Sequence, residues 1–355
     1  VLGVLLAPGE AKRPLVPRGG IRHSINIELP TGAHEVHCLD GEVETQTRAR
    51  LPIFYWGFDE ASGPPREGAT GQRARMGGGV KRVEGLVGGG AVAFDNTAEA
   101  VVNVGNGGGT QYGAGEFGVG SGLTIEVLTI IRWTGDGLSN GKDKDYDELF
   151  RKEDGPKRML LSFQNDEGAH QRTIPKMDDF GPTLSFGLHL AGDGYSELEV
   201  RLDGQDDRPS LENLRDEKPH HIVATYDSWT GQKALYIDGV QLQSATFKEG
   251  TLIESGGPTD ATIGNMANGG EPYSGVIDEV AIYDFALTPK EVAQHWQNAQ
   301  QGVNYFGTRT FDEIRGKPWN VTARLASGQA MRFDNTTGLP LGAVPVSYER
   351  FRARN

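Results

Sequence analysis

The stretch of sequence that decides the fold runs over residues 219–245 and reads PHHIVATYDSWTGQKALYIDGVQLQSA. Residues 220–227 and 233–237 are rich in β-branched and aromatic side chains, and Asp238-Gly239 follows the second run directly. Asp-Gly at this position predicts a tight hairpin, because a type I′ turn needs a positive φ at both of its central residues. The stretch therefore predicts two or three adjacent antiparallel strands.

Short apolar runs of the same kind continue on both sides of this hairpin, and clusters of Gly, Asn and Asp separate them. Glycine makes up 51 of the 355 residues, which suits a chain with many turns. Helical segments do not alternate with the strands, so a parallel α/β fold is not expected. The pattern predicts an all-β sandwich or barrel.

One helix is predicted near the end of this region. Thr288 supplies a hydroxyl N-cap, Pro289 occupies the first helical position, and Glu291 follows the cap by three residues. Val292 and Trp296 then share one face of a helix of about 12 residues. We expect this helix to pack against the sandwich with Trp296 as its buried anchor.

The charge and cysteine content exclude several classes of protein. The chain carries 35 basic and 48 acidic residues, a net charge of −13, so binding of nucleic acid through overall charge is not expected. Cys38 is the single cysteine, which excludes an intrachain disulfide framework and a purely thiolate metal site. No apolar run approaches the ~18 residues needed to cross a membrane.

The charge is distributed unevenly, and it predicts three regions. Residues 1–50 are neutral overall and form an N-terminal β-like extension, residues 51–300 carry −17 and form the sandwich, and residues 301–355 carry +4 and form a basic C-terminal arm. The arm contains two β-like pieces, at 319–325 and 329–333. A basic arm beside an acidic body suggests docking onto its own or a neighbouring body, although a solvated arm fits equally well.

Several blocks of sequence closely resemble the laminin-G-like jelly-roll domains of the concanavalin A-like lectin and glucanase superfamily. The blocks occur in family order over about residues 51–300, at 54–60, 93–95, 220–227, 235–239 and 275–288. The resemblance implies a two-sheet antiparallel jelly-roll sandwich with one short C-terminal helix, flanked here by small β-like extensions at both ends. It also implies binding of glycans or proteins outside the cell, often beside a calcium ion.

The sequence predicts no catalytic residues. Glucanase relatives carry Glu-x-Asp-x-x-Glu on one strand, and a retaining glycanase needs two carboxylates about 5 to 5.5 Å apart. That string does not occur in this sequence. Glu197 and Glu199 share one strand face, but the next acid, Asp203, comes after Arg201 at a turn. We interpret this pair as part of a solvated strand face.

The resemblance also directs attention to carboxylates at the ends of predicted strands. Asp59 and Asp278 lie on strands expected to pair, and Asp95 ends a strand. Such carboxylates either cap turns through hydrogen bonds or share a calcium ion, since calcium selects oxygen ligands. Both interpretations stay open, and Ca²⁺ is the one cofactor that the sequence suggests.

A glycan site needs exposed aromatic rings with amide and carboxylate neighbours, because sugars present apolar faces ringed by hydroxyls. The loop at 265–273 combines these residue types, and other aromatic residues lie in further loops. The candidate ligand-binding residues are Asn265, Asn268, Glu271, Tyr273, Trp133 and Trp229. The alternative for the loop is a long turn without a ligand.

Together these features predict a non-catalytic, extracytoplasmic binding or adhesion module for glycans or surface proteins. The chain begins with an apolar stretch, Val1 to Pro8, which fits the end of a signal segment or upstream membrane anchor, or an ordinary strand. The first alternative function is a structural subunit of a surface assembly that self-associates through residues 1–50 and 301–355. The second is a divergent glycan hydrolase.

Overall fold

The computed structural model describes residues 41–45, 51–68, 71–107, 119–120, 122–135, 146–155, 157–166, 173–175, 181–254, 258–315, 320–325 and 330–334. The chain divides into two compact units. The larger comprises Ile53–Phe311, and the smaller combines Val1–Pro52 with Asp312–Asn355. The predicted N-terminal stretch at 1–8 and Cys38 lie outside the described residues.

The strands and helices follow one another along the described chain with the following bounds. The strands are β1 Gly41–Thr45, β2 Phe54–Trp56, β3 Arg75–Met76, β4 Val80–Val83, β5 Ala91–Asp95, β6 Val102–Gly105, β7 Gly122–Ile131, β8 Tyr146–Asp154, β9 Lys157–Asp166, β10 Thr173–Ile174, β11 Gly181–Leu190, β12 Gly194–Arg201, β13 His220–Asp227, β14 Gln232–Ile237, β15 Val240–Thr246, β16 Ala261–Ile263, β17 Ser274–Tyr283, β18 Asn320–Leu325 and β19 Ala330–Asp334. The helices are α1 Leu211–Leu214, α2 Pro289–Gln300 and α3 Phe311–Arg315.

The described residues of the larger unit form two sheets. The back sheet has the order β15-β14-β13-β7-β17-β5-β4, and β2 also pairs with β17. The front sheet has the order β10-β12-β11-β9-β8-β16-β6-β3. Pairing is antiparallel apart from the short parallel pair of β10 and β12. The predicted all-β, two-sheet sandwich is therefore confirmed.

The core lies between the two sheets because apolar side chains alternate along their strands. On β11 of the front sheet, Leu184, Phe186 and Leu188 point inward, and on β7 of the back sheet Ile125 and Val127 do so. The residues between them point to the outer face of each sheet, which is the face away from the core. This alternation decides which polar residues share a surface.

The hairpin predicted at Asp238-Gly239 is present. Ile237 pairs with Val240 directly across the turn, and Asp238 and Gly239 have φ values of 52° and 78°. These positive values are those that the two-residue turn requires. One register shift interrupts the pairing of β14 with β15 next to Tyr236.

Helix α2 has the predicted bounds and cap, but its anchor differs from the prediction. Thr288 and Glu291 form a reciprocal capping box. The buried residues of the helix are Val292 and His295, whereas Trp296 is half-buried and its ring stacks on His221 at 6.2 Å. His295 contacts a buried carboxylate that helical periodicity alone does not reveal.

The smaller unit contains a three-stranded antiparallel sheet of order β1-β18-β19. Strand β1 comes from the N-terminal region and pairs with β18 from the C-terminal region. The two terminal regions that the sequence suggests as separate extensions thus share one sheet. No described helix is long and apolar enough to cross a membrane.

Candidate functional site

The predicted binding loop at 265–273 is held by its own first residue. The side-chain oxygen of Asn265 accepts hydrogen bonds from the backbone N–H of Met266 at 2.8 Å and of Glu271 at 3.0 Å. Asn265 is fully buried. Its amide therefore stabilises the loop and is not presented to a ligand, whereas Asn268 is exposed and Glu271 is half-buried.

Two of the predicted aromatic platforms belong to the core. Tyr273 is fully buried, and its hydroxyl hydrogen-bonds Thr129 Oγ1 at 2.7 Å. Trp133 is 1% exposed and stacks on Phe163. The expectation that these rings lie at the surface is wrong, because both fill space between the sheets that composition and loop position do not disclose.

Trp229 remains accessible, but it lies far from the other candidates. Its side chain is 36% exposed on the turn between β13 and β14. That turn lies at the Gly122 end of β7, since Asp227 pairs with Gly122, whereas Gly275 beside the 265–273 loop pairs with Ile131. The two ends of β7 are about 30 Å apart, so the predicted residues do not form one site.

The three candidate calcium ligands do not all lie at one site. Asp278 is close enough to Asp59 for charge repulsion to contribute to its raised pKa, after the larger effect of burial. Asp95 pairs with Ser274, four residues along β17 from Asp278 and hence about 13 Å away. Asp59 and Asp278 are neighbours, and Asp95 is not one of them.

The donor set around Asp59 and Asp278 fits structural hydrogen bonding better than a complete metal site. Asp278 accepts the backbone N–H groups of Leu86, Val87 and Glu279. Asp59 accepts that of Gly89 at 2.5 Å. Within the described part of the chain, no group of three or more His, Cys, Asp or Glu side chains has positions suited to a metal ion.

Glu279, the residue beside Asp278, was not predicted from the sequence. It lies at a register shift in β17 with a φ of 49°, it is fully buried, and burial raises the pKa of its carboxyl well above the usual range. Among the described residues, neither carboxylate oxygen has a hydrogen-bond partner. The positive φ and the unpaired buried carboxyl of Glu279 both destabilise the folded state. Other contacts in the fold must offset this loss of stability.

The outer face of the front sheet assembles a second group of polar residues that the sequence did not predict as a site. The register places Glu148, Ser162, Ser185 and Glu199 in one row across β8, β9, β11 and β12. The next row contains Arg151, Leu160, Gly187 and Glu197. Residues distant in sequence thus become neighbours through strand pairing alone.

We call this band of the outer face the groove. Its central strands carry small residues together with the buried Leu160, and Ser162, Ser185 and Glu199 are 0% exposed, so the band is covered in this structure. Ser162, Ser185 and Gly187 lie on the two central strands, and longer side chains stand on β8 and β12 at either side. Strands β8 and β12 are separated by about 14 Å. The Tyr195 side chain lies over Gly187, since a Cβ on Gly187 would lie 2.0 Å from the hydroxyl of Tyr195.

The walls of this groove are fixed by hydrogen bonds. On the β12 side, Glu197 accepts from the Tyr195 hydroxyl at 2.7 Å and from Thr173 Oγ1 at 3.0 Å. On the β8 side, Arg151 forms ion pairs with Glu148 and Glu153. These contacts hold the long side chains in defined positions beside the floor.

Several polar atoms of the groove are buried and have no hydrogen-bond partner. In the described residues, Ser185 Oγ, Gln164 Oε1 and Glu148 Oε2 have no hydrogen-bond partner. Buried polar groups in native proteins are normally paired with protein or water. These three oxygens are therefore unsatisfied, and they are also inaccessible to solvent in this structure.

The structure corrects the interpretation of Glu197 and Glu199 as a solvated strand face. Their exposed fractions are 7% and 0%. The two residues do share the outer face of β12, as the sequence predicted. This burial is a property of the tertiary structure, which the pattern of a single strand cannot show.

Residues 162–293 match the family model described as the concanavalin A-like lectin/glucanases superfamily, which confirms the resemblance noted in the sequence. No curated protein sequence matches the chain significantly.

The fold is similar to those of several solved binding domains. The botulinum neurotoxin serotype G binding domain is 13% identical with a TM-score of 0.49, and the match covers 72% of this chain and 54% of that one. Domain 4 of an extracellular arabinanase from Geobacillus stearothermophilus, solved with arabinotriose, is 16% identical with a TM-score of 0.42, covering 72% and 98%. The Ruminococcus gnavus sialidase CBM40, bound to α2,3-sialyllactose, is 13% identical with a TM-score of 0.36, covering 50% and 83%.

The chain thus spans about half the length of the toxin binding domain. Identities and TM-scores of this size carry no inference about function.

Proposed function

We propose that this chain is a non-catalytic binding module that acts outside the cytoplasm and binds a glycan in the groove of the front sheet. The observation that carries the proposal is the row of small floor residues between two polar walls. Buried oxygens without partners lie in this row at Ser185 and Glu148, and in the neighbouring row at Gln164. A ligand rich in hydroxyl groups would satisfy them once it displaces the side chains that cover this face.

The chemistry of the walls suits a glycan. Sugar hydroxyls both donate and accept, so they pair with carboxylates such as Glu148 and with hydroxyls such as that of Ser185. The Tyr195 ring adds an aromatic surface, and the Arg158 guanidinium lies 4.8 Å from its centre. Convergent polar groups beside an aromatic ring are typical of sugar-binding sites.

The decisive experiment is a glycan-array screen of the full chain, run with calcium and again with chelator. We expect Ser185→Ala and Gln164→Ala to weaken binding of any captured glycan by at least about tenfold, because each removes a buried hydrogen-bonding atom. Trp229→Ala is the matched control, since Trp229 lies on a turn outside the groove.

If Trp229→Ala abolishes binding while the groove variants bind normally, the site lies at the β13–β14 turn and the groove proposal is wrong. If no glycan on the array is bound either with calcium or with chelator, the alternative is favoured. In that alternative the chain is a structural subunit that assembles through residues 1–50 and 301–355. That alternative predicts salt-sensitive assembly, because the arm after residue 300 is basic and the body is acidic.

Calcium binding stays a prediction, and its best remaining candidates are Asp59 and Asp278. The chelator arm of the screen tests whether the ion affects ligand binding. Isothermal titration with calcium alone, on wild type and Asp59→Asn, tests whether it binds near this pair. Equal heats for both proteins would exclude Asp59 as a ligand.

A second candidate function is glycan hydrolysis. Glu197 and Glu199 are buried side by side on β12, and alternate residues of a strand are about 6.7 Å apart, near the ~6.5 to 9.5 Å of inverting enzymes. In such enzymes, however, the two carboxyl groups face each other across the sugar, whereas these leave the strand in parallel. Turnover of any polysaccharide in a panel, lost in Glu199→Gln, would establish hydrolysis.

A further inference from the structure

Residues 66–82 form a basic segment in an acidic chain. The segment contains five arginine and lysine residues and one acid, Glu67, whereas the whole chain carries a net charge of −13. Glu67 is 1% exposed, and its carboxylate accepts the backbone N–H of Tyr55 at 2.7 Å. The one acid of the segment therefore lies inside the fold, and the basic residues dominate the surface that the segment presents.

Two of the arginines lie directly opposite each other. Arg66 and Arg73 form an isolated antiparallel bridge, which places their side chains on the same face with Cβ atoms about 5 Å apart. Ala74 is part of the core, so Arg73, its neighbour, points away from the core. Both arginines are exposed. The Nε of Arg66 lies 3.5 Å from the position that a Cβ on Gly71 would take, so this guanidinium lies beside the chain that leads to Arg73.

Neither guanidinium is paired within the described part of the chain. The neighbouring Arg75 and Arg82 form ion pairs with carboxylates, but no described contact of this kind involves the side chain of Arg66 or Arg73. Like charges directly opposite each other on antiparallel strands destabilise the folded state. The surface therefore holds two close cations whose repulsion no described ion pair offsets.

We propose that Arg66 and Arg73 form a binding site for a phosphate monoester. This group carries a charge of about −1.5 to −2 at pH 7, which matches two guanidinium groups without a counter-charge among the described residues. The planar N–H fork of arginine pairs with two phosphate oxygens at once, and two side chains on one face can hold one phosphate from two sides. Arg75 lies two residues further along the same face and adds a third cation nearby.

This site is separate from the proposed glycan groove. Arg73 precedes β3, which is an edge strand of the front sheet, and the groove lies on β8, β9, β11 and β12. Strands β16 and β6 lie between β3 and β8, so β3 is about 14 Å from the nearest strand of the groove. Phosphate binding therefore does not depend on glycan binding, and either can fail alone.

Isothermal titration of the full chain in low salt tests the proposal with four probes: inorganic phosphate, glucose 6-phosphate, glucose 6-sulfate and glucose. We expect both phosphates to bind with a Kd on the order of 1 mM. The sulfate should bind at least about fivefold more weakly, since it carries one charge, and glucose should not bind. Sodium chloride at about 0.5 M should weaken phosphate binding, because the contact is ionic and exposed. Glucose 6-phosphate that binds more tightly than inorganic phosphate would identify a phosphorylated sugar as the ligand.

Variants of the arginine pair locate the binding. Arg73→Gln should weaken binding of both phosphates at least about tenfold, because a charge-assisted pair of hydrogen bonds is lost. Arg73→Lys should weaken it by less, since lysine keeps the charge and loses the fork. Arg215→Gln is the matched control, because Arg215 is an exposed arginine that follows α1, and it should bind phosphate normally.

Thermal unfolding separates a ligand-binding pair from a structural one. Without ligand, Arg73→Gln should unfold at a slightly higher temperature than wild type, because the repulsion across the bridge is removed. Inorganic phosphate should raise the unfolding temperature of wild type and not that of the variant. A lower unfolding temperature of Arg73→Gln without ligand overturns the proposal. Phosphate binding that Arg73→Gln leaves unchanged, or that the sulfate equals, also overturns it.

Discussion

His295 of α2 donates its Nδ1–H to Glu126 Oε1 of β7 at 2.8 Å, on the outer face of the back sheet. Both side chains are buried. The Nε2–H of His221 reaches the same oxygen at 2.7 Å, and the Tyr283 hydroxyl donates to Oε2 at 2.7 Å. The helix is therefore attached to the sheet through a buried carboxylate with three donors.

This arrangement determines the ionisation of Glu126. Burial acts to raise the pKa of its carboxyl, but the charge of His295 and the hydrogen bonds from both histidines outweigh it and hold the pKa at about 2. A buried carboxylate kept ionised by its partners becomes costly when one partner is removed.

Replacing His295 with Ala is expected to lower the free energy of unfolding by about 3 to 5 kcal/mol, because it leaves part of a buried charge without a partner. Urea denaturation followed by circular dichroism measures the loss. Gln297→Ala is the control, since Gln297 is an exposed residue of the same helix. Losses of equal size in the two variants would contradict the role given to His295.

Acid should destabilise the protein through Glu126. The folded pKa of about 2 lies below the ordinary value of 4.5, so the stabilisation from ionised Glu126 is complete above pH 4.5 and is lost as the pH falls towards 2. The shift corresponds to about 3 kcal/mol. In unfolding experiments between pH 6 and 2, the stability difference between wild type and Glu126→Gln should shrink by this order. A constant difference would show that Glu126 is not ionised in the fold.

Glu279 should behave in the opposite way. Its folded pKa is raised by burial, so its carboxyl is favoured when neutral, and stability falls as the pH rises above the unfolded value near 4.5. Glu279→Gln should therefore stabilise the protein by about 1 to 3 kcal/mol at pH 7, and this gain should disappear below pH 4. Thermal unfolding at pH 7 and pH 3.5 measures both effects. Destabilisation at pH 7 would mean that a bound cation or water cluster satisfies the carboxylate.

The 265–273 loop should tolerate changes at its tip and not at its base. Tyr273→Phe removes the hydroxyl bonded to Thr129 and should cost about 1 to 2 kcal/mol of stability. Asn268→Ala should cost about 0.5 kcal/mol or less, because Asn268 is exposed. Neither variant should change glycan binding on the array. Loss of binding in Asn268→Ala with an unchanged unfolding curve would return the ligand site to this loop.

Local patterns were sufficient for much of the fold. The Asp238-Gly239 hairpin and the Thr288 cap of α2 depend on neighbours within a few residues, and both are present where the sequence predicted them. The pairing of Glu197 and Glu199 on one face also follows from strand periodicity. The sandwich itself was predicted correctly because strand composition and turn signals recur along the chain.

Local sequence patterns predicted the candidate binding site less well than they predicted the fold. Tyr273 and Trp133 carry the residue types of a sugar platform, yet they are 0% and 1% exposed. Loop position predicts exposure only when nothing else covers the loop, and here the rings turn inward between the sheets. These aromatic residues therefore contribute to the stability of the core. The buried polar atoms without hydrogen-bond partners that were considered for ligand binding lie elsewhere in the fold.

The sequence by itself determined the hairpin, the helix cap and the alternation of apolar and polar residues, because these depend on backbone conformation and on near neighbours. Only the tertiary structure decided that Ser185 lies between Ser162 and Glu199, or that His295 meets Glu126. Both relationships join residues from strands or helices far apart in the chain. Their physical basis is strand register and sheet order, which are set by the packing of the whole sandwich and cannot be read from any one segment.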